Sequence, residues 1–583
     1  MKNLNSFLKI GLALSWVLIA VVPSNAQSGN QSDITGPNPV EVIPTQDSEV
    51  DSGNFSDITG PNPVEVIPTQ DSEADSGNQS DTTGPNPVEV IPTQDSEADS
   101  GNQSDTTGPN SVEITPTQDS ETENIEEVQT NKVVPEVNRP AYESLLQQAN
   151  LKVAVQLQEE FQAQEFKNHL GIELYGALPA VEDVSEKLYE LWQQTGKKAA
   201  FIYVSSQSDQ LETFTVFPEA PNRDTDKLKA VASKQSAPAS VEEVTLRETL
   251  PEVSRQMLLE TVGQFRREIT IPRKRKFTTY LRPAQQLYKW LIAPVEAQLQ
   301  TNEIDIVVFS MDAGLRSLPV AALHDGQQFL VEKYGVAVVP SFALADLGYT
   351  DVRQAPILAM GASKFTELSP LPAVPIELQN ASIGNWQGES FLNERFTLDN
   401  FKTQNKQQQF GIIHLATHAE FRPGELSNSF IQFFDERLSV TKLRKIANEL
   451  GWSKAKTSPI ELLVLSACQT ALGDEQAELG FAGLAVQSGV KSALASLWYV
   501  SDAGTLALMS EFYKHLSQSP VKTLALQQTQ LAMLRGEVLV ENGKLKLSDG
   551  ETISLPPELA VQGNFNLSHP YFWSAFTMIG NWN

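Results

Sequence analysis

Apolar and polar positions divide the chain near Asn138. Beyond that point Leu145, Leu146, Ala149, Leu151, Val153 and Leu157 recur at helical spacing and predict one or two helices over 141–169. Over 197–218 apolar and polar residues alternate around Ser206-Gln207-Ser208-Asp209, predicting a hairpin of 200–204 and 214–217. Residues 224–276 are charged and helical in pattern, and 284–299 reads as an amphipathic helix. Short apolar runs follow at 304–309, 336–339, 357–360, 411–416, 462–466 and 493–498. Most are continuous, as in strands covered on both faces. Helical patterns separate several of them, including 481–488 and 505–516. This alternation predicts an α/β fold: a mainly parallel sheet flanked by helices. In such sheets the chemistry gathers at the carboxyl edge of the strands.

Before Asn138 the pattern is different. Residues 1–9 carry Lys2 and Lys9 and no acid, 10–22 is apolar apart from Ser15, and Ser24-Asn25-Ala26 offers small residues for cleavage. This is the form of a secretory signal peptide over 1–26, too short for a comfortable membrane span. It predicts a mature chain that starts at Gln27 and is periplasmic or secreted. From Ser28 a 24-residue unit, SGNQSDITGPNPVEVIPTQDSEVD, recurs with near-copies at Ser52, Ser76 and Ser100. Each copy sets a short apolar stretch such as Val40-Glu41-Val42-Ile43 between prolines, which cannot serve a strand ladder. The rest is Gly, Ser, Asp and Thr, too polar to offset the entropy of ordering. Residues 27–135 are therefore expected to be a disordered, extended linker. The alternative reading is an array that recognises an envelope component or a partner protein.

Charge sharpens the division. Residues 27–135 hold 22 acidic residues and one basic residue, Lys132, so this segment carries most of the net charge of −29. The remainder is only mildly acidic, and no basic face points to nucleic acid. The single cysteine, Cys468, excludes an internal disulfide and a cysteine-rich metal site. No glycine-rich phosphate loop with an adjacent lysine occurs, and neither metal nor cofactor is expected.

Two predicted strands end in reactive side chains. The run 410–418 finishes at His418 and the run 461–468 at Cys468, which places both at one edge of the sheet, 50 residues apart. A thiol beside an imidazole loses its proton more readily, and the thiolate is the nucleophile. His followed by Cys at about this interval is the caspase spacing.

The motifs HLATHAEF (414–421), LSACQTALG (465–473), GVKSALASLWYVSD (489–502), PILAMGAS (356–363) and HPYFWSAFTMIG (569–580) resemble the CHAT domain. So does Leu371-Pro372 with Glu377. The resemblance covers roughly 430 residues, with 136–280 as an N-terminal helical and hairpin part and 281–583 as the catalytic-type domain. CHAT domains are similar to caspases and separases, so the resemblance implies a caspase-like fold and a cysteine endopeptidase acting on a protein or peptide. It implies His418 as general base and acid and Cys468 as nucleophile. Backbone amides near Ala419 and Cys468 would bind the oxyanion. Trp498-Tyr499-Val500-Ser501-Asp502 matches a separase-like element whose Asp receives a basic side chain, so Asp502 implies cleavage after Arg or Lys. One departure stands out: Ala419 occupies a position usually held by Gly, and Ala tolerates positive φ poorly. The competing reading is a catalytically silent scaffold displayed on the acidic segment.

Several residues have plainer roles. Asp502 also suits the start of the helix predicted at 505–516. Trp498 reads as core, and His414 as packed beneath the sheet. His169 and His515 read as surface helix positions, His324 as part of a turn, and His569 as the end of a loop. The basic run Arg266-Arg267 and Arg273-Lys274-Arg275-Lys276 reads as a solvated face, with self-cleavage or docking of the acidic segment as sharper alternatives.

Overall fold

A computed structural model describes residues 138–171, 178–220, 245–382, 386, 388–452, 459–470 and 472–583. The signal-peptide and repeat predictions lie outside them. The predicted hairpin forms as β1 (Ala199–Ser206) and β2 (Leu211–Val216). Each predicted apolar run yields a strand: β4 (Ile306–Met311), β5 (Gly335–Val339), β6 (Ile357–Gly361), β8 (Ile412–Phe421), β11 (Leu462–Thr470) and β12 (Ser492–Ser496). The sequence pattern did not show β3 (Thr245–Leu250), β7 (Gly388–Leu392), β9 (Phe430–Gln432) or β10 (Arg437–Ser439). Nor did it show β13 (Leu539–Glu541), β14 (Lys544–Lys546), β15 (Thr552–Ser554), β16 (Phe565–Asn566) or β17 (Phe576–Gly580).

The main sheet is two parallel blocks joined back to back. In one, β7, β6, β8, β11 and β12 run parallel in that spatial order. In the other, β17, β5, β4 and β1 do the same. The seam is antiparallel, with Ser492 to Ser496 of β12 opposite Gly580 to Phe576 of β17. Antiparallel β2 and β3 extend the far edge, and β9 and β10 continue from the outer end of β8. A small antiparallel sheet of β13 to β16 lies apart. The strands β1, β4, β5, β6, β12 and β17 are buried along their whole length, which is why β4, β5, β6 and β12 read as apolar runs. Each fully buried Phe or Leu among them contributes roughly 1.5–3 kcal/mol relative to exposure.

Helices cover both faces. The helix Leu151–Leu170 is capped by Asn150 Oδ1, which accepts from Val153 N–H, and ends at Gly171 in the left-handed region. The helix Asp502–Leu516 starts at Ser501, whose hydroxyl accepts from Gly504 N–H, and is buried for most of its length.

Three predicted elements need correction. The helical reading of 224–276 fails at Thr245–Leu250, which is strand β3. Its charge is used across the ladder, where Arg247 pairs with buried Glu212 at 2.8 Å; a helix follows from Arg255 behind Ser254, and residues 224–244 of the predicted stretch lie outside the described residues. The helix predicted at 284–299 divides into Leu281–Leu291 and Glu296–Thr301, because Pro294 cannot continue a ladder of amide donors. The helix at 481–488 divides into Glu475–Ala482 and Leu484–Ser488 around Gly483. A Cβ there would meet Leu170 at 2.7 Å.

Candidate functional site

β8 and β11 are neighbours in the parallel ladder, and both run past the residues expected to end them: to Phe421 and to Thr470. The pairing is regular from Leu462–Ile412 to Leu465–Leu415. It then shifts, so that Ala467 faces His418 and Cys468 faces Ala419. Two residues of β8, Ala416 and Thr417, therefore oppose the single Ser466. Such a bulge breaks the regular alternation of the strand and re-aims the residues beyond it. With strands about 4.8 Å apart and residues rising about 3.3 Å, the backbones of His418 and Cys468 lie about 6 Å apart, diagonally across the ladder.

The start of the bulge depends on close approach. A Cβ on Gly361 at the end of β6 would lie 2.4 Å from the Ala416 carbonyl, which instead accepts from Ala362 N–H at 3.1 Å. Ala419 lies within β8. Positive φ at non-glycine positions is confined, among the described residues, to Glu303, Asn393 and Asn542. The methyl group of Ala419 therefore meets no backbone strain here, contrary to the concern its position raised.

His418 is half-buried. Its Nε2–H donates to the carbonyl of Ser369 at 2.8 Å, and its ring stands edge-on to Phe365 at 4.8 Å. A carbonyl only accepts, so this bond fixes the proton on Nε2 and leaves the Nδ1 lone pair free to act as a base. Burial holds the imidazole below its ordinary value of 6.5. The Ser369 bond and the nearby Glu420 charge oppose that shift. The ring is a neutral base near pH 7.

Ser369 belongs to a segment, 362–373, that leaves β6 and enters the helix Val374–Ser382. The segment is closed by Leu371 N–H donating to the Ser363 carbonyl at 3.0 Å, and Ser363 N–H donates to Asn393 Oδ1 at 2.9 Å. Its far end is held by Asp502, whose Oδ2 accepts from Ala373 N–H at 2.7 Å. Asp502 is the first residue of its helix, while Ser501 supplies the cap. Its carboxyl is buried, and burial pushes its pKa up to about 7. The Ala373 bond opposes this rise and the Glu377 charge adds to it.

Below lies a buried cluster. His414 is fully buried, with Nδ1 against the Tyr513 hydroxyl at 2.9 Å and Nε2 3.0 Å from Glu377, near enough for an ion pair but not aligned as a hydrogen bond. His414 thus ties β8 to the two helices beneath it, as its packed reading expected. Trp498 is also core, with its indole N–H donated to the Tyr571 carbonyl at 3.1 Å. His324 sits in a turn, and His569 caps the short helix Pro570–Trp573 by accepting from Tyr571 N–H. His169 and His515 are half-buried on their helices.

The chain beyond β11 is anchored from the other block of the sheet. Asp474 caps the helix Glu475–Ala482 by accepting from Gln476 and Ala477 N–H. Arg266 donates to fully buried Glu478 at 2.7 Å and to the Gly314 carbonyl at 3.0 Å, and Arg255 pairs with Glu475 at 2.9 Å. The basic run is therefore not one solvated face: Arg266 is a buried ion-pair partner, while Arg267, Arg273, Arg275 and Lys276 are exposed.

The motifs around this edge correspond to a known family model, that of the CHAT domain, which matches residues 281–581. The chain belongs to the CHAT domain family. No curated protein is similar to it. Among solved structures, the CHAT chain is similar to the Saccharomyces cerevisiae separase–securin complex at 10% identity and a TM-score of 0.43, covering 76% of this chain and 34% of that one. A second structure of that complex gives 9% identity and a TM-score of 0.40, covering 74% and 34%. The CHAT chain thus spans about a third of the length of the chains it matches.

Sequence reading of this CHAT domain brought His418 and Cys468 to one edge but missed Ser369 and Phe365. A carbonyl acceptor leaves no trace in side-chain identity. Only Leu371-Pro372 hinted that the segment mattered.

Proposed function

We propose that this CHAT domain is an exported cysteine endopeptidase that cleaves after a basic residue, with Cys468 as nucleophile and His418 as base and acid. The observation that carries the reading is the bond from His418 Nε2 to the Ser369 carbonyl, one ladder step from Cys468. It presets the tautomer a base requires, on a ring that burial keeps neutral.

In this reading Nδ1 of His418 takes the thiol proton. The thiolate attacks the scissile carbonyl carbon, and the amides of Ala419 and Cys468 receive the charge that builds on oxygen. The carbon–nitrogen bond breaks, the imidazolium returns its proton to the departing amine, and a thioester remains. Water, deprotonated by the same nitrogen, attacks the thioester. A carboxylic acid leaves and the thiol is restored.

Asp502 supports the basic preference. It is an acid at the carboxyl edge with one oxygen engaged by Ala373, and a guanidinium arriving beside it would relieve the burial of its charge. Export rests on the 1–26 pattern, and sequencing the mature N-terminus tests it: the reading expects Gln27.

One observation favours the silent scaffold. Both strands keep their ladder pairing through His418 and Cys468 as far as Phe421 and Thr470, so neither residue sits on a free strand end. Turnover of an arginyl aminocoumarin amide by residues 27–583, abolished by Cys468→Ser, separates the readings. Well-folded protein without turnover would favour the scaffold.

A further inference from the structure

A cavity of about 590 Å³ opens beside Phe365, whose ring stands against that of His418. Phe365, Glu367 and Leu368 of the segment after β6 form one wall, and Gln432, Phe434 and Arg437 of the β9–β10 hairpin form the other. Its position follows from the ladder. β9 pairs with the flank of β8 opposite β11, with Ile431 facing Ala419. Continuing that antiparallel register by one step sets Gln432 beside His418, and the Thr417 hydroxyl donates to the Gln432 carbonyl at 2.5 Å. Phe365 touches the His418 ring itself. The cavity therefore neighbours the imidazole across the shared Phe365 wall, on the flank of β8 away from Cys468.

That placement has a chemical consequence. The general acid must reach the departing nitrogen, so the fragment that leaves lies on the imidazole side of the nucleophile. Three of the charges that line the cavity, those of Arg437, Glu367 and Glu436, are already engaged. Arg437 lies 3.6 Å from Glu367, donates to Gln432 Oε1 at 3.2 Å and covers the Phe430 ring at 4.8 Å, and Glu436 is paired with Lys442. Lys364 and Thr366 are also exposed along the segment after β6, and the apolar groups offered to a visitor are Phe365, Leu368, and Phe434, which is 38% exposed and among the few large apolar side chains left open among the described residues.

We infer that this cavity is the subsite for the residue following the scissile bond, and that it takes a large apolar side chain, aromatic before aliphatic, in contact with Phe434. The inference rests on the peptidase reading for its orientation, but its binding can be measured without turnover. Short peptides with a free amino terminus, imitating the leaving fragment and differing only in a first residue of Phe, Leu, Gly or Asp, are titrated into Cys468→Ala protein. Burial of one aromatic side chain should make the Phe peptide bind about tenfold or more tighter than the Gly peptide. Phe434→Ala should erase the difference, whereas Arg437→Ala should preserve the order of preference. Phe434 is exposed, so an unchanged melting curve will certify the variant. Equal affinities for Phe and Gly, or a preference that survives Phe434→Ala, would overturn the inference. An aminocoumarin amide has no residue after its scissile bond and reports the dyad alone. Protein that cleaves it but shows no preference in the titration keeps the peptidase reading and loses this one. Protein that discriminates in the titration but cleaves nothing keeps the apolar side-chain site at Phe434 and loses both the peptidase reading and the place of that site after a scissile bond.

Discussion

His418 donates its Nε2 proton to the Ser369 carbonyl across 2.8 Å, and this one bond decides which nitrogen of the ring can act as a base. Nitrogen-15 spectra of histidine-labelled protein at pH 7 should show His418 as the neutral Nε2–H tautomer. Titration should give a pKa below 6.5, since burial outweighs the Ser369 and Glu420 contributions. An Nδ1–H tautomer would remove the basis for the assigned roles.

Asp502 carries a pH dependence of its own. Its folded pKa of about 7 lies above the ordinary 3.8, so the folded state holds this proton more tightly than the unfolded chain. Its stabilising contribution is complete below about pH 4 and is lost as pH rises through 7. Asp502→Asn keeps an oxygen for Ala373 N–H and removes the charge. The variant should melt above the wild type at pH 8, by on the order of 2 kcal/mol, and converge with it near pH 4. A constant gap across that range would contradict the burial account.

Arg266→Ala should destabilise the fold by about 3–5 kcal/mol, because it strands Glu478 as a buried, unpaired charge. The double variant Arg266→Ala, Glu478→Gln should recover part of the loss, since no charge is left buried. Denaturant titration of the single and double variants measures this. Equal losses would show that the packing of Arg266, rather than its charge, matters.

Gly361→Ala places a methyl group 2.4 Å from the Ala416 carbonyl, and backbone must shift to admit it. The displaced residues are those that form the bulge before His418. The expected result is a loss of stability of roughly 1–3 kcal/mol, together with a perturbed His418 resonance in the same spectra. An unperturbed resonance would mean that the bulge is set elsewhere.

The central strands were legible because burial on both faces writes a continuous apolar run, and the ends of two such runs placed His418 and Cys468 at one edge. β3 was not legible, because Arg247 and Glu248 imitate a solvated helix while Arg247 in fact crosses the ladder to Glu212. β9 and β10 are three residues each, too short for any period to show. β17 escaped for another reason: its place at the seam between the two parallel blocks is a property of topology, which local pattern does not carry. Within the site, the bulge at Ala416-Thr417 and the Ser369 carbonyl are backbone features without a residue signature.

The most direct test of the account is covalent labelling. Residues 27–583, together with Cys468→Ala and His418→Ala versions, are treated with an acyloxymethyl ketone bearing Arg next to the reactive carbon, beside an Asp-bearing control. The account predicts labelling of the wild type by the Arg probe alone, at Cys468, and none in either variant. Labelling by the Asp probe would contradict the role of Asp502. A folded wild type that neither probe modifies would contradict the dyad.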